Sequence, residues 1–226
     1  KETMAEIYAE LSKIDPNVMV YGEPWTGGTA AVVNGATQAV SSSSGEGIGA
    51  FDDDFRDAIK GAEFGGFKQG HVQGTYSDSG INTGLVGKSG KNNRNVTGIL
   101  GLGLHYVECH DNYTLFDKLA ISYWQRANDK TTTTTGNLFT KIGYDGLVEV
   151  KAENKLAAAY VFLSQGTAFI NGGQEFLRTK RGNENSYNTS NTSSTSTNGI
   201  DLTFKDTYSD VYNTYKGLIA LRKAKP

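Results

Sequence analysis

The sequence predicts an α/β fold, half of a (β/α)8 TIM barrel with long βα loops, on three observations. Short apolar strand candidates alternate with amphipathic helices along the 226 residues, an order typical of a parallel sheet with helical crossovers. About four strands are predicted, whereas a closed barrel of this class needs about eight. Chemically capable polar residues follow directly after the predicted strands, where parallel α/β folds place their sites.

Continuous apolar runs predict the strands, and apolar residues at helical spacing predict the helices. The predicted strands are 18–21, 48–51, 102–109 and 167–170. The predicted helices are 2–14, a short one around 55–59, one from about 115 to 123, 151–164 and about 208–222. Thr114 with Asp117, and Thr207 with Asp210, have the spacing of helix-capping pairs. The polar stretches 26–46, 61–98 and 181–205 are predicted to be long loops.

Composition excludes several classes of protein. Apolar residues make up 37% of the chain and charged residues 20%, so a core can form. The formal net charge of -2 gives no reason to expect nucleic acid as a partner. No apolar run of about 20 residues is present, so no membrane span is predicted. The single cysteine, Cys109, has no partner for an internal disulfide, and no targeting signal is visible. We expect an extracellular or cell-surface location in a bacterium, with the cytoplasm as the alternative.

Carboxylates and a histidine follow the predicted strands. Glu23 follows the first strand, and His110 with Asp111 follows the third. Two carboxylates that face one cleft can cleave an acetal when one donates a proton to the leaving oxygen and the other stays ionised. Each residue also has an ordinary interpretation, as a solvated strand end for Glu23 and as a structural pair for His110 and Asp111.

A metal site is not predicted. His105, Cys109 and His110 are close in sequence, but strand alternation directs His105 and Cys109 to one face and His110 to the other. A zinc site needs further ligands at a clear spacing, and none is evident. The run from Asp52 to Asp54 is interpreted as a helix N-terminus, where acidic side chains offset the helix dipole. No cofactor is indicated, and a calcium requirement is left open.

Four segments together resemble one known family, the type I pullulanases of the α-amylase-like retaining glycoside hydrolases. The first three are residues 21–28 (YGEPWTGG), 51–61 (FDDDFRDAIKG) and 106–119 (YVECHDNYTLFDKL). The fourth, around the last strand and its loop, has three parts: 163–166 (LSQG), 173–180 (GQEFLRTK) and 185–188 (NSYN). The segments come in the family's order and span nearly the whole chain. The resemblance implies that residues 1–226 are the C-terminal half of one catalytic barrel, with the upstream half and flanking domains lying outside them.

The resemblance also implies a role for each site residue. Glu23 is the general acid/base, and Asp111 stabilises the transition state and binds sugar hydroxyls. His110 binds hydroxyls of the sugar that is cleaved, and Trp25, Asn185 and Tyr187 line the glucan groove. The implied substrates are the α-1,6 branch points of pullulan, amylopectin and related α-glucans.

The sequence departs from the family in one respect. The segment that carries the family's nucleophilic Asp, with an Arg two residues before it, is missing from these residues, and Arg56-Asp57 has the wrong position and neighbours. A retaining enzyme without its nucleophile forms no covalent intermediate, so we expect the chain alone to be inactive and to need the N-terminal half of the barrel. The alternatives left open are an α-1,4-acting amylopullulanase-type hydrolase, a glucan-binding module without catalysis, and a fragment with no function of its own.

Overall fold

The structure is a computed structural model that describes residues 2–23, 48–64, 67–75, 78–87, 103–189 and 196–225. The described strands are β1 (Val20–Gly22), β2 (Ile48–Phe51), β3 (Gly103–His105) and β4 (Thr167–Ala168). The described helices are α1 (Glu2–Ile14), α2 (Asp53–Lys60), α3 (Asp78–Leu85), α4 (Leu115–Asn128), α5 (Leu138–Leu163), α6 (Phe204–Thr207) and α7 (Ser209–Ala224). Two short 3-10 turns lie at His71–Gln73 and Gln174–Phe176.

The four strands form one parallel sheet in the order β1-β2-β3-β4. Each strand therefore lies beside its predecessor in the chain. Described helices lie between β2 and β3 and between β3 and β4 in the chain, as right-handed parallel connections require. This arrangement confirms the predicted α/β class. Strand β2 has the predicted bounds, and β1 is displaced toward Gly22 from the predicted 18–21. Strands β3 and β4 are shorter than predicted, because the pairing between them stops at His105 and Ala168.

The described residues fall into two compact units. The first contains the whole sheet with α1 and α3, and the second contains α4, α5, α6 and α7. The assignment of all 226 residues to one barrel stays a prediction. None of the described helices is long and apolar enough to cross a membrane.

The second unit is built on the packing of α4 against α5. Leu119 of α4 and Val150 and Val161 of α5 are completely buried, and each contributes roughly 1.5–3 kcal/mol relative to an exposed position. Helix α5 is longer than the predicted helix 151–164, because it continues back to Leu138 through a bend at Gly143. Gly143 has φ 64° and ψ -165°, a conformation that glycine adopts at little cost.

Helix α3 is a correction to the prediction, because it lies inside the stretch 61–98 that was predicted to be loop. Its sequence, DSGINTGL, contains two glycines and an asparagine, which have low helix propensity. Packing explains why a helix forms nevertheless. A Cβ atom at Gly84 would lie 2.1 Å from the Phe55 ring, so only glycine allows the helix to pack this closely on Phe55.

The start of the last long helix is a second correction. Thr207 does not cap it, because α7 begins at Ser209 and the preceding residue is Tyr208. The Thr207 hydroxyl donates instead to the carbonyl of Thr203, 3.1 Å away, within the short helix α6. Thr207 is therefore part of the short helix α6, which the sequence pattern did not indicate, and its hydroxyl is not available to cap α7. The other predicted cap is confirmed, since the Thr114 hydroxyl accepts from the backbone N–H of Asp117 at 3.1 Å.

Candidate active site

Glu23 directly follows β1, and its side chain is exposed. Strand β1 pairs with β2 over Val20 to Gly22, so the backbone is fixed up to the residue before Glu23. An exposed carboxylate at the carboxyl end of a parallel strand is placed where such folds bind substrate. Trp25 lies outside the described residues, and its predicted role stays a prediction.

An aromatic cluster surrounds the strand end that precedes Glu23. The Phe51 ring makes edge contacts with Tyr21, Tyr106 and Phe169, at centroid distances of 6.0, 5.1 and 5.2 Å. Tyr21 lies two residues before Glu23. The cluster thus forms an apolar layer beside the strand end that Glu23 follows.

His110 and Asp111 lie together on the loop between β3 and α4. His110 Nε2 is 3.4 Å from Asp111 Oδ1, and the two side chains are 70% and 58% exposed. The next residue, Asn112, has φ 60°, a left-handed conformation in which asparagine is several-fold enriched. This turn returns the chain to α4 and leaves both side chains open to solvent, as substrate-binding groups need to be.

Glu108 lies beneath this loop and was not identified from the sequence. Its side chain is fully buried. Oε2 accepts a hydrogen bond of 2.8 Å from the backbone N–H of Leu115, and Oε1 accepts one of 2.9 Å from the Asn171 amide. Burial raises the pKa of Glu108 to about 7, against the opposing effects of these two hydrogen bonds and of the positive charges of Arg178 and Lys60.

The raised pKa predicts how stability depends on pH. Folded Glu108 holds its proton up to a pKa of about 7, whereas the usual value is 4.5. The folded state therefore binds more protons between pH 4.5 and 7, so this contribution to stability is fully present below 4.5 and lost as pH rises through 7. Glu108→Gln does not titrate. We expect the free energy of unfolding of this variant to rise by about 3 kcal/mol relative to that of the wild type between pH 4.5 and 8.

Urea unfolding of both proteins at pH 4.5, 6 and 8 measures this difference. Glu153, whose pKa burial also raises to about 7, titrates in both proteins and cancels in the comparison. A difference between the two proteins that stays constant with pH would show that Glu108 is ionised in the folded chain throughout this range.

Asn185 and Tyr187 lie on the loop after β4 and are exposed, Tyr187 to 79%. The residue between them, Ser186, is buried and holds the loop. Its hydroxyl donates to the side-chain oxygen of Asn198, and the Asn198 amide donates to the Ser186 carbonyl, both at 2.6 Å. The pair of bonds turns Asn185 and Tyr187 outward, which suits groove residues, although their contact with sugar stays a prediction.

A second buried carboxylate, Asp117 of α4, holds the start of the same loop. It accepts hydrogen bonds from the Thr179 hydroxyl and from the backbone N–H groups of Lys180 and Gly182, the latter two at 2.8 and 3.0 Å. Burial raises the pKa of Asp117, and these hydrogen bonds oppose the rise. The sequence pattern assigned Asp117 to a helix cap and gave no sign of this second role.

Comparison with known proteins identifies the family. The chain is 31% identical to the pullulanase of Bacillus subtilis over its whole length, and 27% identical to the isoamylase of Pseudomonas amyloderamosa over 92% of its length. It spans only 28% and 26% of the lengths of these two relatives. No model of a known protein family matches the chain.

Solved structures agree with the sequence comparison. The fold matches the pullulanase of Bacillus acidopullulyticus with a TM-score of 0.75 and 33% identity, over 98% of this chain and 24% of that one. It matches the pullulanase of Paenibacillus barengoltzii, in complex with maltohexaose and α-cyclodextrin, with a TM-score of 0.76 and 34% identity, over 99% of this chain and 31% of that one. By sequence and by fold, the chain belongs to the pullulanase family and matches one segment of such an enzyme.

Proposed function

We propose that these residues form the second half of the (β/α)8 barrel of a retaining glycoside hydrolase that cleaves α-1,6 branch linkages in pullulan, amylopectin and related α-glucans. The observation that carries the proposal is the order of the strands in the sheet, together with the positions of the candidate site residues after them. Glu23 follows β1 and the His110-Asp111 pair follows β3 in a parallel sheet whose strand order equals the chain order. Consecutive βα units of a barrel have this order.

The edges of the sheet support the barrel assignment. Within the described residues, β1 pairs with β2 alone and β4 with β3 alone. Unpaired parallel edges are a liability that a closed barrel removes. We therefore assign the two edges to pairing with the remaining four or so strands of the barrel, which in the family carry the nucleophilic carboxylate.

The proposed reaction has two steps. Glu23 protonates the glycosidic oxygen while a carboxylate from the other half of the barrel attacks the anomeric carbon and expels the leaving chain. Glu23 then removes a proton from water, which attacks the glycosyl–enzyme intermediate and frees the carboxylate with net retention. The Asp111 carboxylate stabilises the positive charge that develops on the sugar ring.

Substrate contacts come from the exposed groups around these carboxylates. His110 donates a hydrogen bond to a hydroxyl of the sugar that is cleaved. Trp25, Asn185 and Tyr187 line the groove, where an aromatic ring stacks on a sugar ring. The Paenibacillus barengoltzii enzyme has been crystallised with maltohexaose and α-cyclodextrin, which supports α-glucan as the class of ligand.

The experiment uses two proteins. The first is the 226-residue chain alone, which we expect to release no sugar from pullulan because the nucleophile segment is missing. The second, here called the grafted pullulanase, is the Bacillus subtilis pullulanase with its aligned segment replaced by these 226 residues. We expect it to release maltotriose, the product of α-1,6 cleavage.

Each part of the proposal can fail separately. If the pure chain hydrolyses pullulan and Glu23→Gln abolishes that activity, the claim that these residues lack the nucleophile is wrong. Panose as the product of the grafted pullulanase would instead indicate α-1,4 cleavage. A grafted protein with a cooperative melt that binds dextrin but releases no sugar would leave a glucan-binding module as the function.

A further inference from the structure

The side chain of Glu108 closes a loop around the predicted catalytic residues. Glu108 comes two residues before His110, and its Oε2 accepts from the backbone N–H of Leu115, the first residue of α4. One carboxylate thereby joins the two ends of the segment 109–114. The ends of a loop that are fixed in this way restrict the backbone between them.

Asn171 ties the base of this loop to the segment after β4. Its amide nitrogen donates to Glu108 Oε1 at 2.9 Å and to the carbonyl of Cys109 at 3.2 Å. The buried Glu108 carboxylate therefore links both ends of the loop to the segment that follows β4. We call Glu108 and Asn171 the loop brace.

The exposed side chains of the loop depend on this backbone for their position. His110 and Asp111 are each more than half exposed and lie 3.4 Å from one another, so little packing holds them. By contrast, Glu108 is fully buried and Tyr113 is 7% exposed. Buried side chains thus hold the segment at its two ends, and the exposed side chains of His110 and Asp111 lie between these ends.

We propose that the loop brace positions Asp111 for transition-state stabilisation, so that Glu108 and Asn171 act on catalysis through the loop without touching substrate. This inference rests on the proposed role of Asp111. Misplacement of a catalytic group by about 1 Å costs on the order of 100-fold in rate. A carboxylate that acts on the transition state affects kcat far more than KM.

Two variants break the brace in different ways. Asn171→Leu keeps the number and branching of the side-chain heavy atoms and removes the amide that donates to Glu108. Glu108→Gln keeps the shape, but both partners are donors, so its single carbonyl oxygen can replace only one of the two contacts. Asn128→Ala is the matched control, since its amide bonds to the Trp124 carbonyl on the exposed end of α4, away from the loop.

The first readout is amide hydrogen exchange in the 226-residue chain, which needs no activity. We expect the Leu115 amide and the 109–114 segment to exchange about 10-fold faster in both brace variants and unchanged in Asn128→Ala. Unchanged exchange in both brace variants overturns the brace, whatever the chain's function.

The second readout is kinetics of the grafted pullulanase on pullulan. We expect kcat to fall about 10- to 100-fold in both brace variants while KM stays within about 2-fold, and Asn128→Ala to match the parent protein. Unchanged kcat together with faster exchange and a working Asp111 overturns the positioning role and leaves the proposed function intact. Full activity of Asp111→Asn would show that Asp111 does not stabilise the transition state. The proposed function would then be wrong on this point, and the positioning role that rests on it would fail as well.

Discussion

Asp111→Asn in the grafted pullulanase lowers kcat on pullulan by about 1000-fold. The substitution keeps the size of the side chain and removes its negative charge. The oxocarbenium-like transition state carries positive charge on the sugar, so loss of a facing carboxylate raises the barrier without weakening ground-state binding to the same degree. Asp111 is 58% exposed, so the change leaves the buried core untouched and the melting temperature of the protein near that of the parent.

A substrate with an activated leaving group distinguishes the proposed role of Asp111 from that of Glu23. An aryl α-maltotrioside with an acidic phenol needs little protonation as it leaves, so it should restore much of the first step to Glu23→Gln. It should restore nothing to Asp111→Asn, because charge still develops on the ring. The burst of phenol released from the aryl glycoside before the steady state measures the first step alone, and steady-state rates on pullulan measure the loss without rescue, with Cys109→Ser as a neighbouring control. Equal rescue of the two variants would contradict the assigned roles.

The parts of the fold with a local cause could be predicted from the sequence. The apolar run 18–21 indicated β1, and Thr114 indicated the start of α4, where its hydroxyl caps the Asp117 amide. The candidate site was local in the same sense. Glu23 and the pair His110-Asp111 follow strands directly, so their place at strand ends could be derived before the structure.

The parts that depend on distant contacts could not be predicted. Helix α3 has a poor helical sequence and is stabilised by the fit of Gly84 to Phe55. The partners of Glu108 and Asp117 after β4, Asn171 and Thr179, are more than 60 residues away in the chain. A carboxylate is normally predicted to be exposed, and nothing near either residue in the sequence reveals the donors that allow its burial.

Asp117→Ala is expected to cause the largest loss of stability, about 3 kcal/mol in the free energy of unfolding. Three donors converge on this carboxylate, from the Thr179 hydroxyl and the backbone of Lys180 and Gly182. The variant leaves them in a buried site without an acceptor, and each such group costs about 1–3 kcal/mol unless the loop moves to reach water. Movement of the loop recovers part of the cost, so the net loss stays below the sum.

The same movement links this stability change to the site. Residues 179–182 lead to Asn185 and Tyr187, so release of the loop should loosen the predicted groove. Thr114→Ala is the matched control at the same helix end: it loses one cap, worth about 1 kcal/mol, and leaves the acceptor of the loop in place. Urea unfolding gives the two stabilities, and hydrogen exchange at Lys180 and Gly182 should quicken in Asp117→Ala alone. Equal exchange in both variants would mean that α4, and not its carboxylate, holds the loop.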